Sequence, residues 1–107
     1  MDEKIKAVWV AALRSGKYKQ TFGRLHRSKT TRMGPAGYCC LGVLSKACGE
    51  TNRSMGGRGF PSQNVLWASG IERTTVFFDG EDRSFEFLND TKRLSFSEIA
   101  DIIEAQL

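Results

Sequence analysis

The chain has 107 residues, three cysteines, one histidine and a formal net charge of +4. That length sets one domain, with room for a single core. No apolar run approaches the ~20 residues that cross a bilayer, so a membrane partner is not expected. The opening "MDEKIK" carries acids and no apolar stretch follows it, which excludes a secretory signal as an expectation. An odd number of cysteines argues for a reducing compartment over a disulfide framework.

The modest net charge conceals an asymmetry. Residues 1–49 hold ten Lys/Arg against two acids, Asp2 and Glu3. Residues 50–107 hold six Lys/Arg against ten acids. No acid occurs between Lys4 and Gly49. A basic stretch of this kind is either a solvated loop neutralised by the other half or a site for phosphate, nucleic acid or an acidic protein surface.

In chain order, "EKIKAVWVAALRS" places Ile5, Val8, Trp9, Ala12 and Leu13 on one helical face. Acids at its start and Arg14 near its end match the helix dipole, and Gly16 supplies the stop. In the basic segment, Tyr18, Gln20 and Phe22 alternate with Lys17, Lys19 and Thr21, the pattern of a short half-buried strand. Residues 27–36 are polar, small or charged and end in Gly34-Pro35, which reads as a mobile loop.

"GYCCLGVLSKAC" suits a buried helix better than a strand: Leu41, Leu44 and Cys48 share one helical row, and Cys40, Val43 and Ala47 another. Gly42 inside it costs about 1 kcal/mol relative to Ala, so another element is expected to cross closely there. Residues 50–59 read as a second mobile, glycine-rich loop. Pro61 then opens a short helix containing Val65, Leu66 and Trp67 and closed by Gly70. "TTVFFDGEDRSFEF" is a β-hairpin, Val76–Phe78 and Phe85–Phe87 around the Asp79-Gly80 turn. In "LSFSEIADIIEAQL", Ser95 and Glu98 form a capping box, Leu94 and Ile99 a hydrophobic staple, and Phe96, Ile99, Ile102 and Ile103 an apolar face. The sum is α+β: about four helices, two of them short, around a small antiparallel sheet.

Structural zinc favours paired cysteines at C-x2–4-C spacing, whereas Cys39 and Cys40 are adjacent and point about 100° apart on a helix. A site drawing on all three cysteines and His26 is arithmetically allowed, as is a nucleophilic cysteine with His26 as its base. The apolar neighbours Tyr38, Leu41, Val43 and Leu44 instead assign the cysteines to the core, with no metal and no cofactor. The chain has no P-loop, HExxH, GxSxG or paired carboxylate in an apolar setting. Asn89-Asp90 reads as an Asx turn. An enzyme is therefore the weakest expectation.

Read together, "WVAALRSGKYKQTFGRL", "GYCCLGVLSKAC", "NVLWASGI" and "FLNDTKRLSFSEIADIIE" resemble a group of small, uncharacterised proteins met mostly in bacteriophage and prophage genomes. The chain departs from that group's pattern at Ser45, where a further cysteine is expected, and in a longer basic loop over residues 26–36. The resemblance implies a phage-encoded accessory protein in the bacterial host cytoplasm and assigns no activity. On this reading the chain binds and disables a host or defence protein, with nucleic acid or a phosphorylated small molecule as the alternative partner. The expected contact surface is Arg14, Lys17, Lys19, Arg24, Arg27, Lys29 and Arg32, with Tyr18, His26 and Trp67 as further contacts; Tyr18 and Phe22, interleaved with Lys17, Lys19 and Arg24, allow base stacking or belong to the core.

Overall fold

The structure, a computed structural model, describes all 107 residues. Its elements in order are α1 (Glu3–Arg14), β1 (His26–Arg27), β2 (Gly37–Tyr38), α2 (Cys40–Ala47), α3 (Asn52–Met55), α4 (Gln63–Ser69), β3 (Thr75–Phe78), β4 (Glu81–Ser84), a π-helical turn (Phe87–Thr91) and α5 (Phe96–Gln106). Two antiparallel sheets of two strands each, β1–β2 and β3–β4, complete an α+β domain around one core. No helix is long and apolar enough to cross a membrane.

Helix α1 packs against both α5 and α2. That double contact explains why its buried residues are Trp9, Val10 and Leu13 while Val8 is 49% exposed. A single apolar stripe through Val8 would serve one neighbour; two neighbours recruit Val10 on the adjoining side. Trp9 is fully buried, meets Phe85 edge-on at 5.4 Å and donates its indole N–H to the Cys40 carbonyl at 2.9 Å. Helix α5 begins with the expected capping box: the Ser95 hydroxyl accepts from the Glu98 N–H at 3.1 Å, and the Glu98 carboxylate accepts from the Ser95 N–H at 3.0 Å. Phe96, Ile99 and Ile103 point inward, joined by Ala100, while Ile102 is half-buried.

Helix α2 is buried over its first six residues. Cys39 caps it, its thiol accepting from the Gly42 N–H at 3.4 Å. A Cβ at Gly42 would collide with the Leu25 carbonyl oxygen, so the close crossing inferred from this glycine is the backbone of Leu25. Gly37, at φ 150°, leaves equally little room against the Lys19 carbonyl.

Four segments differ from the sequence expectation. The alternation over residues 17–22 produces no strand of its own; only Gln20 forms a parallel bridge, to Tyr38. Residues 27–36 and 50–59 carry regular structure: Thr31 bridges Gly34, and Thr51 caps the α3 turn, which buries Met55. The hairpin's second strand is Glu81–Ser84, and the chain turns helical at Phe85, where the fully buried phenyl ring packs under Trp9. Asp79 and Gly80 both take positive φ, as an Asp-Gly hairpin turn requires.

Asn89 is the polar centre of the fold. It is fully buried, donates to the Thr21 carbonyl at 2.9 Å, and accepts from the Cys40 N–H at 3.2 Å and from the Gln20 amide at 2.8 Å. The Asx-turn reading of Asn89-Asp90 misses this. The side chain ties two distant segments, at Gln20-Thr21 and at Cys40, to its own.

Candidate functional site

The basic segment runs across the N-terminal end of α2. Thr21 N–H donates to the Tyr38 carbonyl and Tyr38 N–H to the Lys19 carbonyl, both at 2.8 Å. Leu25 is buried, its N–H held by the Arg58 carbonyl at 2.8 Å and its carbonyl by the Cys39 N–H at 3.1 Å. With Leu25 turned inward, the residues on either side of it, Arg24 and His26, are left half-buried at the surface.

There they line a cleft of about 280 Å³. Arg24, His26 and Ser28 contribute from the basic segment; Asn52, Arg53 and Gly56 contribute from the other side. No acid and no hydrophobic side chain lines it. His26 is set by its Nδ1, 3.0 Å from the Gly37 carbonyl, and by its ring lying 4.5 Å from that of Tyr38. Tyr38 in turn meets Tyr18 edge-on at 5.2 Å and donates its hydroxyl to the Asn52 carbonyl oxygen Oδ1 at 2.8 Å. Glu50, close in sequence to Arg53, turns its carboxylate to the Ser54 and Ser62 hydroxyls, whose hydrogen bonds hold it below the usual carboxylate range.

The predicted contact residues separate into distinct roles. Lys19, Lys29 and Arg32 are exposed and Arg24 is half-buried; none has an ion-pair partner. Lys17 and Tyr18 border a shallow groove with Val8 and Ala12, and Lys17 is likewise unpaired. Arg14 is neutralised, its guanidinium 2.6 Å from Asp101 and 2.8 Å from Glu104. The same pairing closes one end of a larger groove along α1, of about 430 Å³, whose lining mixes Glu3, Lys6, Arg14 and Glu104. Trp67 is 73% exposed on α4 and lines no cleft.

Arg27 requires a correction. It is only 7% exposed, and its guanidinium donates inward to Thr21 Oγ1 at 3.3 Å, the Phe22 carbonyl at 3.1 Å and Thr31 Oγ1 at 3.4 Å. It braces the loop and presents nothing to a partner. Asn52 and Arg53, which the sequence reading left in a glycine-rich loop, line the cleft, whereas Arg27 does not. The available signal was Thr51 followed by "NRSM", a capping threonine ahead of one turn ending in an apolar residue.

Cys39 and Cys40 are buried and Cys48 half-buried, so two of the three thiols belong fully to the core. Burial pushes the Cys39 thiol up to about 11 and raises those of Cys40 and Cys48. None is therefore a thiolate at neutral pH. No three His, Cys, Asp or Glu side chains come together in a way that could hold a metal ion.

Fold and surface thus define a small α+β domain with a cationic, non-apolar cleft. The chain belongs to the family described as a domain of unknown function, DUF8296, whose model matches residues 1–56, just over half of it. All six residues lining the cleft fall within that matched segment. No curated protein and no solved structure matches the chain.

Proposed function

We propose that this is a non-catalytic binding protein that engages an anionic partner through the face carrying Lys17, Lys19, Arg24, Lys29 and Arg32. The observation that carries this reading is the difference within one acid-free stretch: Arg14 is matched by two carboxylates, whereas these five cations have none. Like charges gathered without counter-charge repel one another, an expense that the apolar core offsets and that an anionic partner relieves. The resemblance to bacteriophage and prophage proteins extends the proposal. The partner is then a host or defence factor in the bacterial cytoplasm that presents an acidic surface.

A pull-down from bacterial lysate tests it, with and without nuclease, using wild type and the triple variant Lys17→Glu, Lys19→Glu, Arg32→Glu. All three side chains are exposed, so the melting temperature should move by no more than a few degrees. A protein partner that survives nuclease and is lost with the variant supports the reading. A partner that binds the variant as well as wild type overturns it. A partner lost on nuclease treatment moves the assignment to nucleic acid, and its affinity then falls with salt by a log–log slope of roughly 0.9 per phosphate contact.

A further inference from the structure

We infer that the cleft between Arg24–Ser28 and Asn52–Gly56 binds the phosphoryl group of a phosphate monoester, such as a nucleotide 5′-phosphate. The inference rests on the reading of this face as a binding surface and gives it a ligand chemistry.

The lining is a set of donors without a charged acceptor. Arg24 and Arg53 bring two guanidiniums, and Ser28 a hydroxyl. Asn52 is oriented by Tyr38: its Oδ1 already accepts the tyrosine hydroxyl, so its Nδ2 is the end left without a protein partner. His26 is oriented by Gly37. A carbonyl oxygen can only accept, so Nδ1 carries a proton and Nε2 is the atom left for a ligand. Each of these side chains is held by something outside the cleft or stands free to turn into it. No carboxylate offers itself to a cation here, and an anion has donors on both walls, Arg24 and Ser28 on one, Arg53 and the Asn52 amide on the other.

Charge and shape select among anions. A carboxylate, with one charge and two oxygens, is satisfied by a single guanidinium fork. Two guanidiniums with amide and hydroxyl donors match a dianion with three free oxygens, which a phosphate monoester supplies. A phosphodiester offers one charge and two free oxygens and fills the set incompletely. A volume of about 280 Å³ lies near the lower end of small-ligand clefts, roughly 300 Å³. Since no hydrophobic residue lines it, the base or other organic portion of the ligand contributes little, and discrimination follows the phosphate.

Calorimetric titration of the full chain provides the test, with inorganic phosphate, adenosine 5′-monophosphate, its 3′,5′-cyclic diester, and a short single-stranded oligonucleotide with and without a 5′-phosphate. The monoester should bind at least ~10-fold more tightly than the cyclic diester, the scale of one hydrogen bond to a charged group. Binding of the oligonucleotide only when 5′-phosphorylated would identify a nucleic-acid end as the source; binding of the monophosphate alone would identify a free nucleotide. Arg53→Gln, at an exposed position, should weaken the monoester ~10-fold or more. Asn52→Asp keeps the oxygen that Tyr38 bonds and replaces the donor by a carboxylate, so it should abolish binding. Equal affinity for monoester and diester, no heat with any phosphate, or unchanged affinity in both variants overturns the inference. Both variants leave Lys17, Lys19 and Arg32 in place, so partner capture retained while phosphate binding fails would sink the cleft alone. Failure of capture by the Lys17, Lys19, Arg32 variant to change would sink the wider face alone.

Discussion

The seam of α1, α2 and α5 and the segment from Lys17 to Tyr38 are held by different physics. In the seam, apolar side chains interlock: Trp9, Leu13, Leu41, Leu44, Ile99 and Ile103 are all at most 3% exposed. The segment contributes few apolar side chains to the core, chiefly Leu25. It is fixed by polar groups: Asn89 reaches Gln20 and Thr21 from across the chain, and Arg27 braces the segment from within. Its surface can therefore be crowded with cations without those cations being part of what folds it. Stability resides in one region and charge chemistry in the other, joined at Leu25 and Asn89.

The largest expected break in this contrast is Trp9→Ala. The indole fills the seam and bonds the Cys40 carbonyl, so truncation leaves both a cavity and a buried carbonyl without its partner. Urea unfolding should report a loss of about 3–5 kcal/mol. A loss below about 1 kcal/mol would mean that α1 is not an essential wall of the core.

Arg27→Glu set against Arg32→Glu probes the other region. Both reverse a charge within the same basic loop, but Arg27 faces a carbonyl and two hydroxyls inside it while Arg32 is exposed. Reversal at Arg27 should cost about 3 kcal/mol, the scale of an uncompensated buried charge. Reversal at Arg32 should stay within about 0.5 kcal/mol. Equal costs would erase the distinction between brace and surface, and Arg27 would return to the contact face.

The sequence made the seam readable because its determinants are local and periodic. The Ser95–Glu98 box, the α5 stripe and the Asp79-Gly80 turn are each visible within one or two turns of chain. Gly42 announced a close crossing, though not that Leu25 makes it. The site was less legible for the same physical reason in reverse. Whether Arg24 or Arg27 faces solvent depends on a register fixed by Tyr38 and Asn89, which lie far along the chain. The second wall, Asn52 and Arg53, sits on a four-residue turn too short for any periodic signal. Val10 was hidden by a different limit: periodicity gives one face, and only the presence of two neighbours makes a second.

The smallest effect concerns Arg14, the one cation of the acid-free stretch that is paired within the seam, from α1 to α5. The hydrogen bond from Arg14, with its positive charge, holds the Glu104 carboxyl below the usual 4.5, and the two carboxylates raise Arg14 in return. Arg14 remains charged throughout the accessible range, so the Glu104 carboxyl is the group that reports. A carboxyl whose folded value lies below its unfolded one contributes stability above the unfolded value, and that contribution is lost as pH falls through the folded value. The window for Glu104 therefore opens near pH 4.5 and extends downward. Asp101 and Glu104 are 69% and 56% exposed, so solvent and salt screen the pairing and the effect is small. Arg14→Met should leave the melting temperature at neutral pH nearly unchanged and flatten its decline below pH 4.5, more visibly in low salt than in high. Glu50 is the control, because its lowered carboxyl depends on Ser54 and Ser62 instead of Arg14. Its share of the acid limb should persist in Arg14→Met and disappear in Glu50→Gln. Parallel acid limbs for wild type and Arg14→Met at low salt would show that Arg14 is as free as Lys17, and the neutralised and open ends of the basic stretch would become one surface.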